Sequence, residues 1–151
     1  MNPKVAVILK ESLQDRLLNK KRKGLDPNKV SERLLKSHNE NLENQSILID
    51  YLNHKKISFQ TFKNSEIKGF NKESSSFLLD KFSLILSLGG DGTFLHSAFH
   101  ILESPIIGYN SAPNFSTGFY CLRDIAQIRE IIDHFANGKK QEFIKLVRLE
   151  L

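Results

Sequence analysis

A single cysteine, Cys121, occurs in the 151 residues. That scarcity excludes an internal disulfide and any metal site built from several thiolates, and it makes a reducing compartment the natural setting. Long apolar runs are missing as well. The first one, residues 5–9, is too short to cross a bilayer and has no small-residue cleavage pattern behind it, so neither an export signal nor a transmembrane helix is expected. No Arg- and Ser-rich transit stretch is present, which points to a cytoplasmic protein and no membrane partner. Around the basic cluster Lys20-Lys21-Arg22-Lys23 there are no interleaved aromatics and there is no second basic stripe. The cluster therefore reads as a solvated helix end, with no nucleic acid as partner. No repeat or low-complexity segment interrupts the chain.

What is present fits one α/β domain. A hydrophobic content of 40% over this length supports one proper core and leaves no room for a second complete domain. The excess of 22 basic over 17 acidic residues, +5 net, suits a phosphorylated ligand without requiring one. Residues 5–9 read as a buried parallel strand. Leu13, Leu17 and Leu18 followed by Gly24 predict a helix with a stop. Asp26-Pro27 is a start signal for a second helix carrying Val30, Leu34 and Leu35. Leu42, Ile47, Leu48, Tyr51 and Leu52 predict a third. A strand is expected over 57–62, a loop over 63–76, and a short helical piece at 77–79. A strand over 84–88 follows, then a glycine turn, a helix through Phe99 and Ile101, and a strand over 106–109. The last helix carries Ile125, Ile128, Ile131, Ile132 and Phe135 and is closed by Asn137-Gly138. Alternating strands and helices predict an open, mostly parallel, doubly wound Rossmann-like sheet with helices on both faces.

The chemistry concentrates in Leu84-Ile85-Leu86-Ser87-Leu88-Gly89-Gly90-Asp91-Gly92-Thr93-Phe94-Leu95. An apolar strand runs into three glycines within four positions and then opens a helix. Gly89, Gly90 and Gly92 present no Cβ to hold a phosphate away, permit positive φ, and leave amides free to face an anion. Thr93 and the first helical turn add donors and a positive dipole end. Asp91 is the odd member, because a carboxylate beside phosphates is repelled unless its charge is screened or used. It is a candidate general base for a hydroxyl attacking a phosphoryl group. The competing reading is a tight turn whose Asp caps the helix.

Other candidates carry two readings each. Asn110, at the end of a strand, either holds a ribose or phosphate oxygen or starts a turn with Ser111, Ala112 and Pro113. Phe119 and Tyr120 either stack on a base or plug the core. His96 and His100 stand four apart, which is metal-ligand spacing, but no third ligand is recognisable, so no metal site is assigned. His96 sits instead within a helical turn of the presumed phosphates. Ser87 fills a strand position, since no nucleophile elbow surrounds it. Cys121 reads as a small loop or core residue.

Gly89-Gly90-Asp91-Gly92-Thr93-Phe94-Leu95 resembles the signature of the NAD kinases. Its Gly-Gly-Asp-Gly-Thr part is shared with diacylglycerol and sphingosine kinases, and phosphofructokinases carry a close variant. Pro105-Ile106-Ile107-Gly108-Tyr109-Asn110 is similar to the NAD kinase strand that ends in Gly-x-Asn, and Thr117-Gly118-Phe119-Tyr120 to its Leu-Gly-Phe segment. Residues 111–116 read as an insertion. That insertion, the following Cys121-Leu122 and the long basic segment before the glycine motif resemble the mitochondrial-type branch of the family.

The resemblance implies transfer of the γ-phosphoryl group of ATP to the 2′-hydroxyl of the adenosine ribose of NAD, with Mg2+ neutralising charge. It implies Asp91 as the base, and Gly89, Gly90, Gly92, Thr93, Phe94, His96, Asn110 and Phe119 as nucleotide-binding residues. A homo-oligomer binding small-molecule nucleotides is expected. It also implies two domains, so residues 1–138 are expected to form the nucleotide domain and 139–151, where apolar and charged residues alternate, to begin an all-β domain. Two alternatives stand beside it. A lipid kinase would share the motif, but its typical Asn-Glu-Val helix is replaced here by Phe94-Leu95-His96-Ser97-Ala98. A non-catalytic nucleotide-binding module would lack the family's second-domain Asn-Glu pair, which has no counterpart after the glycine turn.

Overall fold

The computed structural model describes residues 4–11, 17, 31–68, 78–139 and 142–144. Five parallel strands form one sheet in the order β2-β1-β3-β4-β5: β1 Lys4–Leu9, β2 Ser58–Lys63, β3 Leu84–Gly89, β4 Ile106–Asn110 and β5 Cys121–Leu122. The two most apolar strands lie inside the sheet. All six residues of β3 are buried, as are Val5, Ala6, Val7 and Ile8 of β1. Polar β2 and the two-residue β5 take the edges, where one side of the strand remains solvated.

Strand alternation divides the core between two faces. Val5, Val7, Leu84, Leu86 and Leu88 pack with Leu48 and Leu52 of α1 (Glu32–His54) and Ile128 and Ile132 of α4 (Ile125–Ala136). Ala6, Ile8 and Ile85 face the other way. They pack with Phe62, with Ile67 of α2 (Asn64–Lys68), and with Leu79 and Ile101, the latter just beyond α3 (Asp91–Phe99). This is the doubly wound α/β sheet that the alternation implied.

Several local expectations are corrected. The two helical patterns read around Leu34 and Leu42 belong to one continuous helix, α1, which starts at Ser31, whose side chain caps the amide of Leu34. The polar stretch between them does not break it, because Asn41 and Gln45 are buried and hydrogen bonded to each other. Leu34, Leu35 and Leu42 are exposed rather than forming a buried face. Part of the expected loop over 63–76 is the helix α2, where Glu66 accepts the amide of Lys63 and Ile67 anchors in the core. α3 ends at Phe99, before Ile101. The strand β5 was not anticipated, since two residues carry no periodicity. The capping of α4 agrees with expectation: Asp124 takes the amide of Ala126, and Gly138, with φ of 66°, closes the C-terminus. The predicted helix around Leu13 and Leu18, the Asp26-Pro27 start signal and the alternating segment over 145–151 lie outside the described residues.

Candidate active site

The C-terminal ends of β3, β4 and β5 meet at one edge of the sheet, where ligands of open α/β folds bind. β3 ends at Gly89, and Gly90, in extended conformation with φ of −94° and ψ of −173°, leads into α3. None of the three motif glycines has a left-handed φ; among the described glycines only Gly138 does. Their reason is space. A Cβ on Gly89 would stand 2.7 Å from Cβ of Thr93, whereas at Gly90 and Gly92 nothing lies within 4 Å of that position. Gly89 lets the helix fold tightly onto the strand, and the other two leave the backbone open to an approaching group.

The first turn of α3 keeps part of its donor set. The amides of Thr93 and Phe94 both donate to the Gly90 carbonyl, at 2.9 and 3.1 Å. Those of Asp91 and Gly92, the first two helical residues, have no intrahelical acceptor. Thr93 itself is buried, its side chain packed toward Gly89. Its hydroxyl therefore sits beneath the turn.

Asp91 faces the segment that leads into β5. Its Oδ2 accepts the amide of Phe119 at 2.7 Å and its Oδ1 that of Tyr120 at 3.0 Å. Gly118 is close enough that a Cβ there would come within 3.2 Å of Oδ1. The Phe119 amide, foremost, and the Tyr120 amide favour the carboxylate anion and hold Asp91 below the usual carboxyl range; partial burial opposes them. Cys121, beside the same carboxylate, has its thiol pushed up to about 12, by burial first and by the Asp91 charge second. It is therefore a neutral thiol at any physiological pH.

Three aromatic rings cluster on and next to the segment whose amides bind this carboxylate. Phe94 and Tyr120 stack with centroids 5.9 Å apart and planes 10° from parallel, and Phe119 meets Tyr120 edge-on at 5.1 Å. Phe119 is 88% exposed. A large aromatic so open is not a core plug.

Asn110 is buried and its side chain is committed to the loop that follows. Its Oδ1 accepts from the Ala112 amide and the Ser116 hydroxyl, and its Nδ2 donates to the Ser116 carbonyl. These bonds form the turn with Ser111, Ala112 and Ser116 at this position. The loop over 111–116 is also tied to α1: Ser111 donates to Asn41, Asn44 donates to the Ser111 carbonyl at 3.0 Å, and Tyr109 donates to Asn44 at 3.2 Å. On the outer side, Arg123 donates to the Pro113 carbonyl.

His96 is drawn toward α2, where its Nδ1 lies 2.7 Å from Oδ1 of Asn64, and its ring centroid is 5.0 Å from that of His100. Among the described residues no group of three or more His, Cys, Asp or Glu side chains is placed to hold a metal ion. Gly89, Gly90, Gly92, Thr93, Asp91, Phe94 and Phe119 thus gather at one place, while Asn110 supports it from within the adjacent loop. Sequence reasoning passed over Gly108, Gly118 and Cys121 as parts of the site. A Cβ on Gly108 would stand 2.7 Å from the Cys121 sulfur and 2.9 Å from the Phe94 ring. Only the pairing of β4 with β5 reveals that contact.

Residues 2–140 match the family model of the ATP-NAD kinase N-terminal domain. The chain belongs to the ATP-NAD kinase family. A direct comparison with curated proteins finds no match. As a member of this family the chain is placed among nucleotide-binding phosphotransferases, with ATP and NAD as the family's substrates. No described helix of this family member is long and apolar enough to cross a membrane.

Proposed function

We propose that this ATP-NAD kinase family member transfers the γ-phosphoryl group of ATP to the 2′-hydroxyl of the adenosine ribose of NAD, yielding NADP and ADP. The observation that carries the reading is Asp91, held as an anion by two backbone amides where the glycine turn meets an exposed aromatic. A carboxylate has about four acceptor positions, and the amides of Phe119 and Tyr120 use two of them. The remaining ones can accept a ribose hydroxyl. As the 2′-oxygen bonds to phosphorus and the bond to the ADP oxygen breaks, the hydroxyl proton passes to Asp91.

A depressed carboxyl is a weak base, yet that suits a loose phosphoryl-transfer transition state, in which the proton leaves as the O–P bond forms rather than before. The free amides of Asp91 and Gly92, with the open backbone at Gly90, would receive phosphate oxygens. Phe119 would stack on the adenine. Mg2+ would enter with the triphosphate as metal–nucleotide substrate. Its chemistry there is to neutralise charge on the transferring group.

Membership of the mitochondrial-type branch is part of the same proposal, supported by the 111–116 loop and by Cys121-Leu122. So are a cytoplasmic setting, a homo-oligomeric state and a following all-β domain that completes the dinucleotide site.

Incubation of the protein with ATP, Mg2+ and NAD, with NADP read through an NADP-specific dehydrogenase, tests the reaction. Formation of NADP that is lost in Asp91→Asn is expected. No NADP from the full natural protein, with phosphate transferred instead to a diacylglycerol or sphingosine acceptor, would overturn it.

A further inference from the structure

Ser111 directly follows the last residue of β4 and is 1% exposed. Its amide, hydroxyl and carbonyl are all engaged, on two different elements. The amide donates at 3.3 Å to the carbonyl of Gly89, the residue that ends β3 and opens the glycine turn; the hydroxyl donates to Asn41, and the carbonyl accepts Asn44 Nδ2 at 3.0 Å. Asn41 and Asn44 lie three positions apart on one face of α1. Each is held in turn: Gln45 donates to Asn41 Oδ1 at 3.3 Å, and the Tyr109 hydroxyl donates to Asn44 Oδ1 at 3.2 Å. From this joint the chain makes the excursion that carries the Phe119 and Tyr120 amides onto Asp91. It returns to β4 through only two paired residues, Cys121 with Gly108 and Leu122 with Tyr109.

From this geometry we infer that Asn41 and Asn44 are positioning residues: through Ser111 they fix the root of the 111–120 loop against the glycine turn, and so set where Phe119 meets Asp91. The inference rests on the reading of Asp91 as the base and Phe119 as the adenine platform only for its catalytic consequence. A loop that merely joined β4 to β5 could turn in water, where its polar groups need no protein partner. Here Asn41 and Ser111 are both buried. An apolar contact would hold the loop to α1 without fixing its angle, whereas a buried network of directional bonds admits one arrangement, and losing a member leaves its partner desolvated and unpaired. Two paired residues are too short a strand to place the returning segment alone. The Asp91 carboxylate therefore holds the far part of the excursion, and α1 holds its root.

The test compares two variants of the joint with one of the loop's outer side. Ser111→Ala removes the hydroxyl that reaches Asn41, and Asn44→Leu removes the donor to the Ser111 carbonyl at similar volume. Asn114→Ala removes only the exposed bond from the loop to Glu40. Amide hydrogen exchange at Phe119 and Tyr120 is read first and requires no turnover, so its outcome is independent of whether NADP is formed. Both joint variants are expected to speed exchange at these two amides by about five- to tenfold, the weight of one buried hydrogen bond, with β1 and β3 unchanged. Asn114→Ala is expected to match wild type. At saturating ATP and NAD, kcat per folded enzyme should fall by a similar factor in the joint variants, which a role in stability alone would not produce. Unchanged exchange at Phe119 and Tyr120 in the folded joint variants overturns the inference, as does equal acceleration in Asn114→Ala or throughout β1 and β3, which would mark general loosening. Faster exchange with unchanged kcat overturns the positioning role in catalysis. Faster exchange in a protein that forms no NADP supports the joint and counts against the reaction instead. If Asn44→Leu does not fold, Ser111→Ala alone decides by the same two amides.

Discussion

The carboxylate of Asp91 accepts the backbone amide of Phe119 at 2.7 Å, across 28 positions of sequence. One residue begins the helix after the glycine turn and the other carries the most exposed aromatic ring beside it. The hydrogen bond makes the proposed base and the proposed base-stacking platform a single unit. Substitution at Asp91 is therefore expected to act on both.

Asp91→Asn should lower kcat by about 10²- to 10⁴-fold, the usual contribution of a positioned general base. It should also loosen the segment over 118–121, because an amide side chain offers one acceptor oxygen to two donors. Amide hydrogen exchange at Phe119 and Tyr120 should speed up while exchange in β1 and β3 stays slow. Unchanged exchange at these two amides would show that the carboxylate does not hold the segment.

Much of this site was legible from the chain because its parts are contiguous. The strand, the glycines, Asp91 and the helix start lie within residues 84–95, where periodicity and local sterics speak directly. The contacts that complete it are not local. Gly108 needs its missing Cβ because of Cys121, thirteen positions on, and no periodicity announces a two-residue strand. The patterns around Leu34 and Leu42 read as two helices because no local signal shows that Asn41 is buried; it meets Ser111, 70 positions away, and Gln45 donates to it. Asn110 carries two readings from sequence, since the same side chain can cap a loop or hold a ligand, and its bonds to Ala112 and Ser116 come from residues that no periodicity marks.

The glycines of the turn should separate folding from binding. Gly89→Ala forces a Cβ to within 2.7 Å of Thr93 Cβ and is expected to cost about 1–3 kcal/mol, as overpacking does. Gly90→Ala meets nothing within 4 Å and has an ordinary φ of −94°, so its stability should stay within about 0.5 kcal/mol of wild type. Its new methyl would instead stand where a phosphate approaches, and affinity for ATP should fall at least about tenfold, or 1.4 kcal/mol. Denaturant midpoints and nucleotide titrations of the two variants check the contrast. Equal affinity in Gly90→Ala would remove Gly90 from the phosphate cradle.

Phe119 offers the cleanest test of base stacking. At 88% exposure it has little packing to lose, so Phe119→Ala should leave the thermal midpoint almost unchanged. Loss of one aromatic–base stack should weaken binding of the adenine-bearing substrate by about 1–3 kcal/mol. Phe119→Tyr should restore most of it. Calorimetric titration of the three proteins with NAD measures both quantities, and equal affinity in Phe119→Ala would leave the ring without a role in substrate binding.

Acid should weaken the join between α1 and α4 through Asp133. Lys55 Nζ lies 2.8 Å from its carboxylate, and the Tyr51 hydroxyl donates to it at 2.7 Å. The Lys55 ammonium first, and the Tyr51 hydroxyl next, hold the Asp133 carboxyl below its ordinary value of 3.8. A carboxyl depressed in the folded chain binds its proton more readily when unfolded, so its stabilisation is complete above the unfolded value and is lost as pH falls through the folded one. Asp91, depressed by the amide of Phe119 first, follows the same direction. At the alkaline end the sign reverses: Lys55, raised by its bond to Asp133 first, stabilises fully below its unfolded value of 10.5 and less as pH rises through the folded one. Asp133→Asn should therefore lower the thermal midpoint by a small margin at neutral pH, since the pair is a third exposed and screened by solvent. The gap to wild type should close as pH falls below the ordinary value of 3.8 and through the depressed value of the folded carboxyl, where the wild-type side chain is itself protonated. Thermal melts at neutral and acid pH measure it, and a gap that persists unchanged in acid would mean that Asp133 contributes through packing rather than through charge.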